Sequence, residues 1–479
     1  MNIERLQQRI TTLKQGPAAN HALLDDLQAW LIQSSLADRY RINIVRLATE
    51  LGYPLPTVLG ECLYAVPVGL FDLYWDLHCP MCNTIAAELQ SLNEAPSLTH
   101  CSVCVMDFTA DFAERVEVTF SLNTEIENEP TPTDFFKPLA AFHPQYGLDG
   151  WYEQSVAGEA DMVEGTYHFF SPITGSYGDF TVAGAPTPEV QEFSITETET
   201  GMTPAAITAQ PGRVRLHYTN LAAPRSLLWV VNAADADAVL DHPPPILTGL
   251  QVSHHPVFRE LFSDQVLSDR ERLLISSVTT LFTDITGSTR MYETLGDAIA
   301  YNIVRDHFDI LFRAIEDCGG RVLKTIGDAV MASFLNNEQA IRAIADFLTQ
   351  IEAYNAKRNI PEQVWLKLGV HRGPAILVTL NDRLDYFGSS VNKAARIQGL
   401  ARSGELACSA EVYADPAFRQ VLDTVRIGDT LRQEVNLKGL EGNHTIYRTR
   451  LLSPPDEIAP STGTSPMQRF LASLGLGAR

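Results

Sequence analysis

The chain is short of positive charge, of long apolar runs and of cysteine. Its 36 Lys and Arg face 58 Asp and Glu, a formal net charge of −22 at pH 7. A surface this acidic repels phosphate backbones and anionic lipid heads, so neither nucleic acid nor a membrane surface is an expected partner. A local basic pocket remains compatible with it. No stretch reaches the roughly 18 consecutive apolar residues that a membrane-spanning helix needs. Met1 to Lys14 alternates charges instead of running from basic to apolar, which argues against a signal peptide. A cytoplasmic protein is expected. Of seven cysteines, four fall in two Cys-x-x-Cys pairs. In a chain with no export signal, such pairs read as metal ligands, not disulfides. Cys62, Cys318 and Cys408 are isolated and read as small buried side chains.

What is present is ordinary globular material, 45% hydrophobic and 20% charged. A length of 479 residues predicts two or three domains. The first sixty or so residues look helical. Leu6, Ile10 and Leu13 recur at helical spacing, and Leu23, Leu24, Leu27 and Leu31 follow a cap at Asn20. A third helix is expected over 39–51, stopped by Gly52 and Pro54, and a fourth over 56–64. With the strand-like run Gly69 to Trp75 these could form a winged helix. A small helical packing module is favoured, because nothing basic lines the would-be recognition helix.

Cys79-Pro80-Met81-Cys82 and Cys101-Ser102-Val103-Cys104 come next. Four thiolates in two tight knuckles can close a tetrahedral shell around Zn²⁺, and such closed shells usually hold a fold together. His78 and His100 precede the knuckles and read as neighbours of the site more than as ligands. Strand patterns follow: Val116, Val118 and Phe120 alternate with polar residues, as do Val214, Leu216 and Tyr218, and Leu227 to Val231 is a short apolar run. Residues 112–232 read as a β-rich module of illegible function. His242-Pro243-Pro244-Pro245 marks a boundary. His254-His255 lacks a third ligand at sensible spacing and is not expected to hold a metal. A coupling helix is expected over 258–274. The tail from Ser453 is rich in Pro, Ser and Thr and reads as mobile.

The densest information lies between Ser276 and Glu405. Val278 to Ile285 reads as a buried strand ending in Asp284. A helix with Val304, Phe308, Leu311 and Ile315 on one face ends at Gly319-Gly320. Arg321 to Ile326 and Ala329 to Phe334 are strands joined by a Gly327-Asp328 turn. A second helix carries Ile341, Ile344, Phe347, Leu348 and Ile351, and a strand pair is expected over 364–378. The order strand-helix-strand-strand-helix-strand is ferredoxin-like, an α+β arrangement. It can bring Asp284 and Asp328 to one sheet edge, where two carboxylates suit Mg²⁺ or Mn²⁺. Thr286-Gly287-Ser288-Thr289 opens the following helix, and its backbone N–H groups favour phosphate. Asn392 and Arg396, at i and i+4, share a helix face. An amide and a guanidinium there suit a ribose and a developing phosphoryl charge.

Phe282-Thr283-Asp284-Ile285-Thr286-Gly287-Ser288-Thr289, Lys324-Thr325-Ile326-Gly327-Asp328 and Asp385-Tyr386-Phe387-Gly388…Asn392…Arg396 together resemble the catalytic domain of the class III nucleotide cyclases over about residues 272–450. The resemblance implies metal binding by Asp284 and Asp328 with the Ile285 backbone, adenine selection by Lys324 and Asp385, and a transition-state pair in Asn392 and Arg396. It also implies a triphosphate contact at Lys438, in Asn436-Leu437-Lys438-Gly439. It implies conversion of ATP to 3′,5′-cyclic AMP and pyrophosphate with two Mg²⁺ or Mn²⁺ per site. A homodimer follows, since the family builds each site from both chains. Gly287-Ser288-Thr289 departs from animal members, which often carry an aromatic after the glycine. Upstream, Gly69-Leu70, Trp75, the knuckles, Val116 to Phe120 and Phe258 to Phe262 resemble the uncharacterised region ahead of some bacterial cyclases.

The expected organisation is a helical module (1–68), a zinc-ribbon-like segment (69–111) with one structural Zn²⁺, the β-rich module (112–232), a linker and coupling helix (233–272), the cyclase domain (273–450) and a tail (451–479). The N-terminal region is expected to regulate or assemble the enzyme, through a ligand or protein the sequence does not name. The alternatives are a guanylate cyclase, a silent cyclase-fold scaffold, and a transcriptional regulator using the helical N-terminus.

Overall fold

The computed structural model describes the chain except residues 17–18, 81–84, 102–105, 129–145, 172–173, 175, 224, 234–244, 269, 358–362, 382 and 453–479. The tail and both Cys82 and Cys104 lie outside the described residues.

The N-terminal helices form where local signals agree. In α1 (Ile3–Lys14), α2 (His21–Gln33) and α4 (Ile44–Leu51), an asparagine at the N-cap (Asn2, Asn20, Asn43) accepts a backbone N–H of the first turn. The leucine stripes of α1 and α2 are buried. The helix expected over 39–51 is instead broken between α3 (Leu36–Arg39) and α4. Arg41 sits at φ 54°, and the Ile42 N–H donates to the Phe120 carbonyl at 2.6 Å. Its guanidinium bonds Asp76 (2.6 Å) and Glu88 (2.7 Å) and lies 3.8 Å over the Tyr74 ring. A buried charge network there outcompetes helical propensity. After α5 (Leu55–Ala65), strands β1 (Phe71–His78), β2 (Ile85–Leu89) and β5 (Val116–Leu122) form an antiparallel sheet in the order β2-β1-β5. The strand of Val116 to Phe120 thus pairs with Trp75 and its neighbours, not with the later strands, and every residue of β5 is buried.

The later strands form two facing sheets. They contain β6 (Tyr146–Trp151), β7 (Ser155–Met162), β8 (Gly165–Phe170), β9 (Tyr177–Val182), β10 (Gln191–Thr198), β11 (Gly201–Thr203), β12 (Ala206–Ala209), β13 (Gly212–Leu221) and β14 (Arg225–Asn232); one has the order β11-β10-β13-β7 and the other β12-β9-β8-β14-β6. Between them pack Phe169 of β8, Phe180 of β9, Ile195 of β10, Tyr218 of β13 and Val230 of β14. The acidic run Thr196-Glu197-Thr198-Glu199-Thr200 turns inward once: Glu197 is fully buried and accepts hydrogen bonds from the hydroxyls of Thr174, Tyr218 and Ser226.

Two short helices follow, α6 (Gly249–His254) and α7 (Pro256–Leu261). They replace the coupling helix expected over 258–274, because Thr248 makes a capping box with Gln251 and Pro256 starts a new helix. The C-terminal domain is a sheet in the order β16-β17-β15-β18-β20-β22-β21, with β20 at Glu405–Ser409, β21 at Thr430–Asn436 and β22 at Asn443–Arg450. Its strands include β15 (Leu273–Ile285), β16 (Arg321–Ile326), β17 (Ala329–Phe334) and β18 (Leu366–Leu380), with β19 (Arg383–Phe387) folded back on β18. The strand pair expected over 364–378 is thus one long strand whose partner begins at Arg383.

Alternation gives this sheet two faces. Leu281, Val330, Phe334, Leu368 and Val370 pack under the helices α9 (Asp297–Asp317) and α10 (Asn337–Lys357). Val278, Phe282, Met331, Ala375, Leu377 and Tyr386 belong instead to one core continuous with the N-terminal module. Backbone bonds join the two: the Phe112 N–H donates to Leu274 O (2.7 Å) and the Leu274 N–H to Ala110 O (3.3 Å). Arg259 of α7 pairs with Glu316 at 2.9 Å. A Cβ on Gly249 would stand 2.4 Å from the Phe112 ring, so α6 meets that ring at a distance only glycine permits.

Candidate active site

Asp284 lies on β15 in phase with Val278 and Phe282, at the end of the strand. Asp328 occupies the turn between β16 and β17, and β17 is β15's neighbour. Topology therefore brings the carboxylates to one edge, and Asp328 Oδ2 accepts the Ile285 N–H at 3.2 Å. Asp284 is 6% exposed and Asp328 4%. Burial raises the pKa of Asp284, and the negative charge of Asp328 raises it further, to about 7. Burial also raises Asp328, against hydrogen bonds that include one from the Ser288 side chain. Asp284 Oδ1 and Thr286 Oγ1 are buried and, among the described residues, have no hydrogen-bond partner. Two buried carboxylates, one with an orphaned oxygen, fit a divalent cation, whose charge offsets the cost of burying them.

Beside them, helix α8 (Ser288–Leu295) starts after Gly287, which takes the N-cap with φ 73° and supplies no side chain. The first-turn N–H groups of this helix stand next to the two aspartates, where a phosphate and a cation can neutralise one another.

Lys324 projects from β16 and Asp385 from β19. They pair at 2.5 Å. Lys324 also lies 5.1 Å from the centroid of the Phe387 ring. The other carboxylate oxygen of Asp385 accepts the Tyr386 N–H at 2.8 Å. A donor and an acceptor are thus fixed side by side on the sheet face.

Asn392 and Arg396 share helix α11 (Ser389–Gln398). The helix lies directly on the sheet because Gly369 has no side chain: a Cβ there would stand 2.4 Å from the Gln398 Cα. Arg396 Nε is buried without a partner among the described residues. The Lys438-Gly439 turn comes to it, with 3.4 Å between a Cβ on Gly439 and Arg396 Nη2. Lys438 itself is exposed.

The sequence reading missed two contributors. Lys367 stands opposite Asp284 in register across β15 and β18 and lowers both aspartate pKa values. The Gln398 side chain, on the far side of α11 from Gly388, hydrogen-bonds Asp284. Strand register could have found the first; the second needs the helix docked.

The zinc expectation is described only in part. Cys79 and Cys101 are buried, with Cys82 and Cys104 outside the described residues. His78 bonds Glu117 at 2.8 Å and His100 bonds Asp107 at 2.8 Å. Among the described residues no group of three or more His, Cys, Asp or Glu is arranged to hold a metal ion. No described helix is long and apolar enough to cross a membrane.

Residues 272–450 match the family model of the adenylate and guanylate cyclase catalytic domain. Residues 3–131 and 156–260 match a family of unknown function, DUF5939. An adenylate cyclase of Anabaena cylindrica is 31% identical over 137 residues, 26% of this chain and 27% of that protein. An adenylate cyclase of Mycosarcoma maydis is 31% identical over 178 residues, 33% of this chain and 7% of that protein. The match therefore spans about a quarter or less of the length of these relatives. The crystal structure of the adenylyl cyclase CyaB from P. aeruginosa aligns at 19% identity and TM-score 0.31, covering 40% of this chain and 100% of that one. The sheet order, the paired aspartates and the Asn/Arg helix accompany this match: the segment 272–450 is a class III adenylate and guanylate cyclase catalytic domain.

Proposed function

We propose that the chain is an adenylate cyclase that works as a homodimer, converting ATP to 3′,5′-cyclic AMP and pyrophosphate. The observation that carries this reading is the Lys324–Asp385 pair, a donor and an acceptor 2.5 Å apart. Adenine offers an exocyclic amino donor beside a ring-nitrogen acceptor. Asp385 accepts from the first and Lys324 donates to the second.

Asp284, Asp328 and the Ile285 carbonyl would hold Mg²⁺ or Mn²⁺, whose chemistry here is to acidify the ribose 3′-hydroxyl and to neutralise the departing pyrophosphate. The residues of the chain do the rest. The amides of Thr286, Gly287, Ser288 and Thr289 receive the phosphates, and Lys438 reaches the triphosphate from the exposed turn. Asn392 orients the ribose. Arg396 stabilises the charge that grows on the α-phosphoryl group as the 3′-oxygen bonds to phosphorus and the bond to pyrophosphate breaks. In the dimer, the aspartates of one copy meet Asn392, Arg396 and the adenine pair of the other. The two knuckles bind one Zn²⁺ in a structural role.

The test is turnover of the purified chain on ATP and GTP, with Mg²⁺ and with Mn²⁺. Cyclic AMP with little cyclic GMP is expected. Preferential cyclic GMP would make it a guanylate cyclase, and full activity in the Asp284→Ala/Asp328→Ala double variant would remove the metal assignment. Mixing Asp328→Ala with Asn392→Ala, each inactive alone, should restore about one site per heterodimer. Metal analysis finding far less than one zinc per chain would end the knuckle assignment.

A further inference from the structure

The adenine pair touches more than the catalytic domain. Asp385 sits between two residues that are themselves gripped. On one side, the Leu384 carbonyl accepts from Arg321 Nη2 at 3.4 Å. On the other, Tyr386 buries its whole ring, and its hydroxyl lies against Arg321, Ser333 and Ser253. Arg321 and Ser333 are register partners on β16 and β17. Ser253 belongs to α6, in the N-terminal module.

The neighbouring residue of α6 ties the same spot. His254 is fully enclosed, and burial lowers its pKa to about 3, so it is neutral. Its Nδ1 faces the Leu250 carbonyl at 2.8 Å, which can only accept, so Nδ1 carries the proton. Nε2 is therefore an acceptor, and the Ser333 hydroxyl, 3.1 Å away, donates to it. That bond turns the remaining lone pairs of Ser333 toward the Tyr386–Arg321 cluster. An ordered chain of contacts thus runs from an N-terminal helix, through Ser333, to the residue next to Asp385.

The Tyr386 hydroxyl pays poorly as structure. It is buried, and although three polar groups surround it, none makes an aligned hydrogen bond to it. Arg321 Nη1 is equally without a partner. A phenylalanine at 386 would fill the same volume without that cost. If packing were the whole role, removing the hydroxyl would be neutral or stabilising.

We infer that Tyr386 is a positioning residue for the Lys324–Asp385 pair, and that α6 of the N-terminal module, through Ser253 and His254, holds it. The N-terminal module is then part of base selection. This rests on the cyclase reading above. Asp385 is the group that touches the nucleotide; Tyr386 and Ser253 act through it.

The experiment compares Tyr386→Phe and Ser253→Ala with the wild-type full chain, on ATP and GTP, with thermal melts alongside. Tyr386→Phe should keep its melting temperature or gain slightly, whereas Ser253→Ala should lose a little, because the buried Ser253 hydroxyl also donates to the Leu250 carbonyl at 2.8 Å. KM for ATP should rise about fivefold, roughly 1 kcal/mol at 25 °C. The rate constant kcat should hold within about twofold, and the ratio of kcat/KM for ATP over GTP should fall about fivefold. An unchanged ratio in both variants, or an equal loss on both nucleotides, overturns the inference. If the wild type turns over neither nucleotide, the cyclase reading fails by itself, and fluorescent ATP and GTP analogues then report the same ratio as dissociation constants. A wild type that binds neither overturns both.

Discussion

Asp284→Asn is expected to stabilise the metal-depleted protein while abolishing its activity. The sign follows from proton linkage. The carboxyl titrates near 3.8 when unfolded and near 7 when folded. Below about pH 4 it is neutral in both states. Between about pH 4 and 7 the unfolded chain has lost the proton and the folded chain has kept it, so stability falls as pH rises. Above about pH 7 the folded state holds an ionised carboxylate beside Asp328, at a cost of about 4 kcal/mol. Asparagine does not titrate and escapes this cost. Its amide must still find partners in a buried site, so a net gain of about 2 kcal/mol at pH 8 is the working figure. That is a rise of roughly 4–8 °C for a domain of this size. The assay is a thermal melt in EDTA from pH 4 to pH 8, with and without excess Mn²⁺. The difference between variant and wild type should grow with pH, and Mn²⁺ should stabilise the wild type above pH 7 far more than the variant. A pH-independent difference, or a variant less stable at pH 8, would refute the assignment of a strained carboxylate pair.

Three further outcomes can be checked. Arg41→Ala should cost about 3–5 kcal/mol in denaturant melts, because it strands a buried charge. Its partner Asp76 is fully buried and has its pKa raised by that burial to about 6 even with the guanidinium in place. Gly249→Ala should cost about 1–3 kcal/mol by overpacking, since the new Cβ would meet the Phe112 ring at 2.4 Å. Limited proteolysis should then cut faster between α7 and β15 than in the wild type. A chain cut at about residue 265 should bind an apolar dye and aggregate near neutral pH, because it exposes Phe282, Met331, Leu377 and Tyr386 at once; a monodisperse, dye-silent fragment would contradict the shared core.

The catalytic domain was legible because its signals are local. A strand ending in Asp284, a Gly327-Asp328 turn and an i, i+4 pair on α11 can each be read within a dozen residues. Their meeting follows from a single topology. The misreadings at residues 39–51 and 116–120 involve partners distant in sequence. Residues 39–51 carry helical spacing, yet the chain breaks at Arg41 because Asp76 and Glu88 wait 35 and 47 residues on. Val116 to Phe120 alternate as a half-exposed strand would, but every residue of β5 is buried: β1 pairs along one edge, Ile42 and Leu247 bond its backbone along the other, and its apolar side chains join the core shared with the helices. Lys367 and Gln398 carry no motif; only register and docking put them at Asp284.

The same distance argument bears on where the protein divides. The two family matches meet near residue 260–272, a natural place to draw a boundary from sequence. The packing draws none there. The sheet face opposite α9 and α10 is apolar at Val278, Phe282, Met331 and Leu377, and these side chains share one core with Val391, Ala394 and Ala395 of α11 and with many residues before 262. A face of that kind cannot stand in water without a partner, so it must be covered by the N-terminal module, by a second copy, or by each over part of its area. The contacts of His254 with Ser333 and of Arg259 with Glu316 put the N-terminal cover at the start of β16 and the end of β17. Asp284 and the Gly327-Asp328 turn lie at the other end of the same strands. The module therefore grips the catalytic sheet away from the metal edge. A second copy can then be required at that edge, while, under the function proposed above, the N-terminal module holds the Lys324–Asp385 pair from behind.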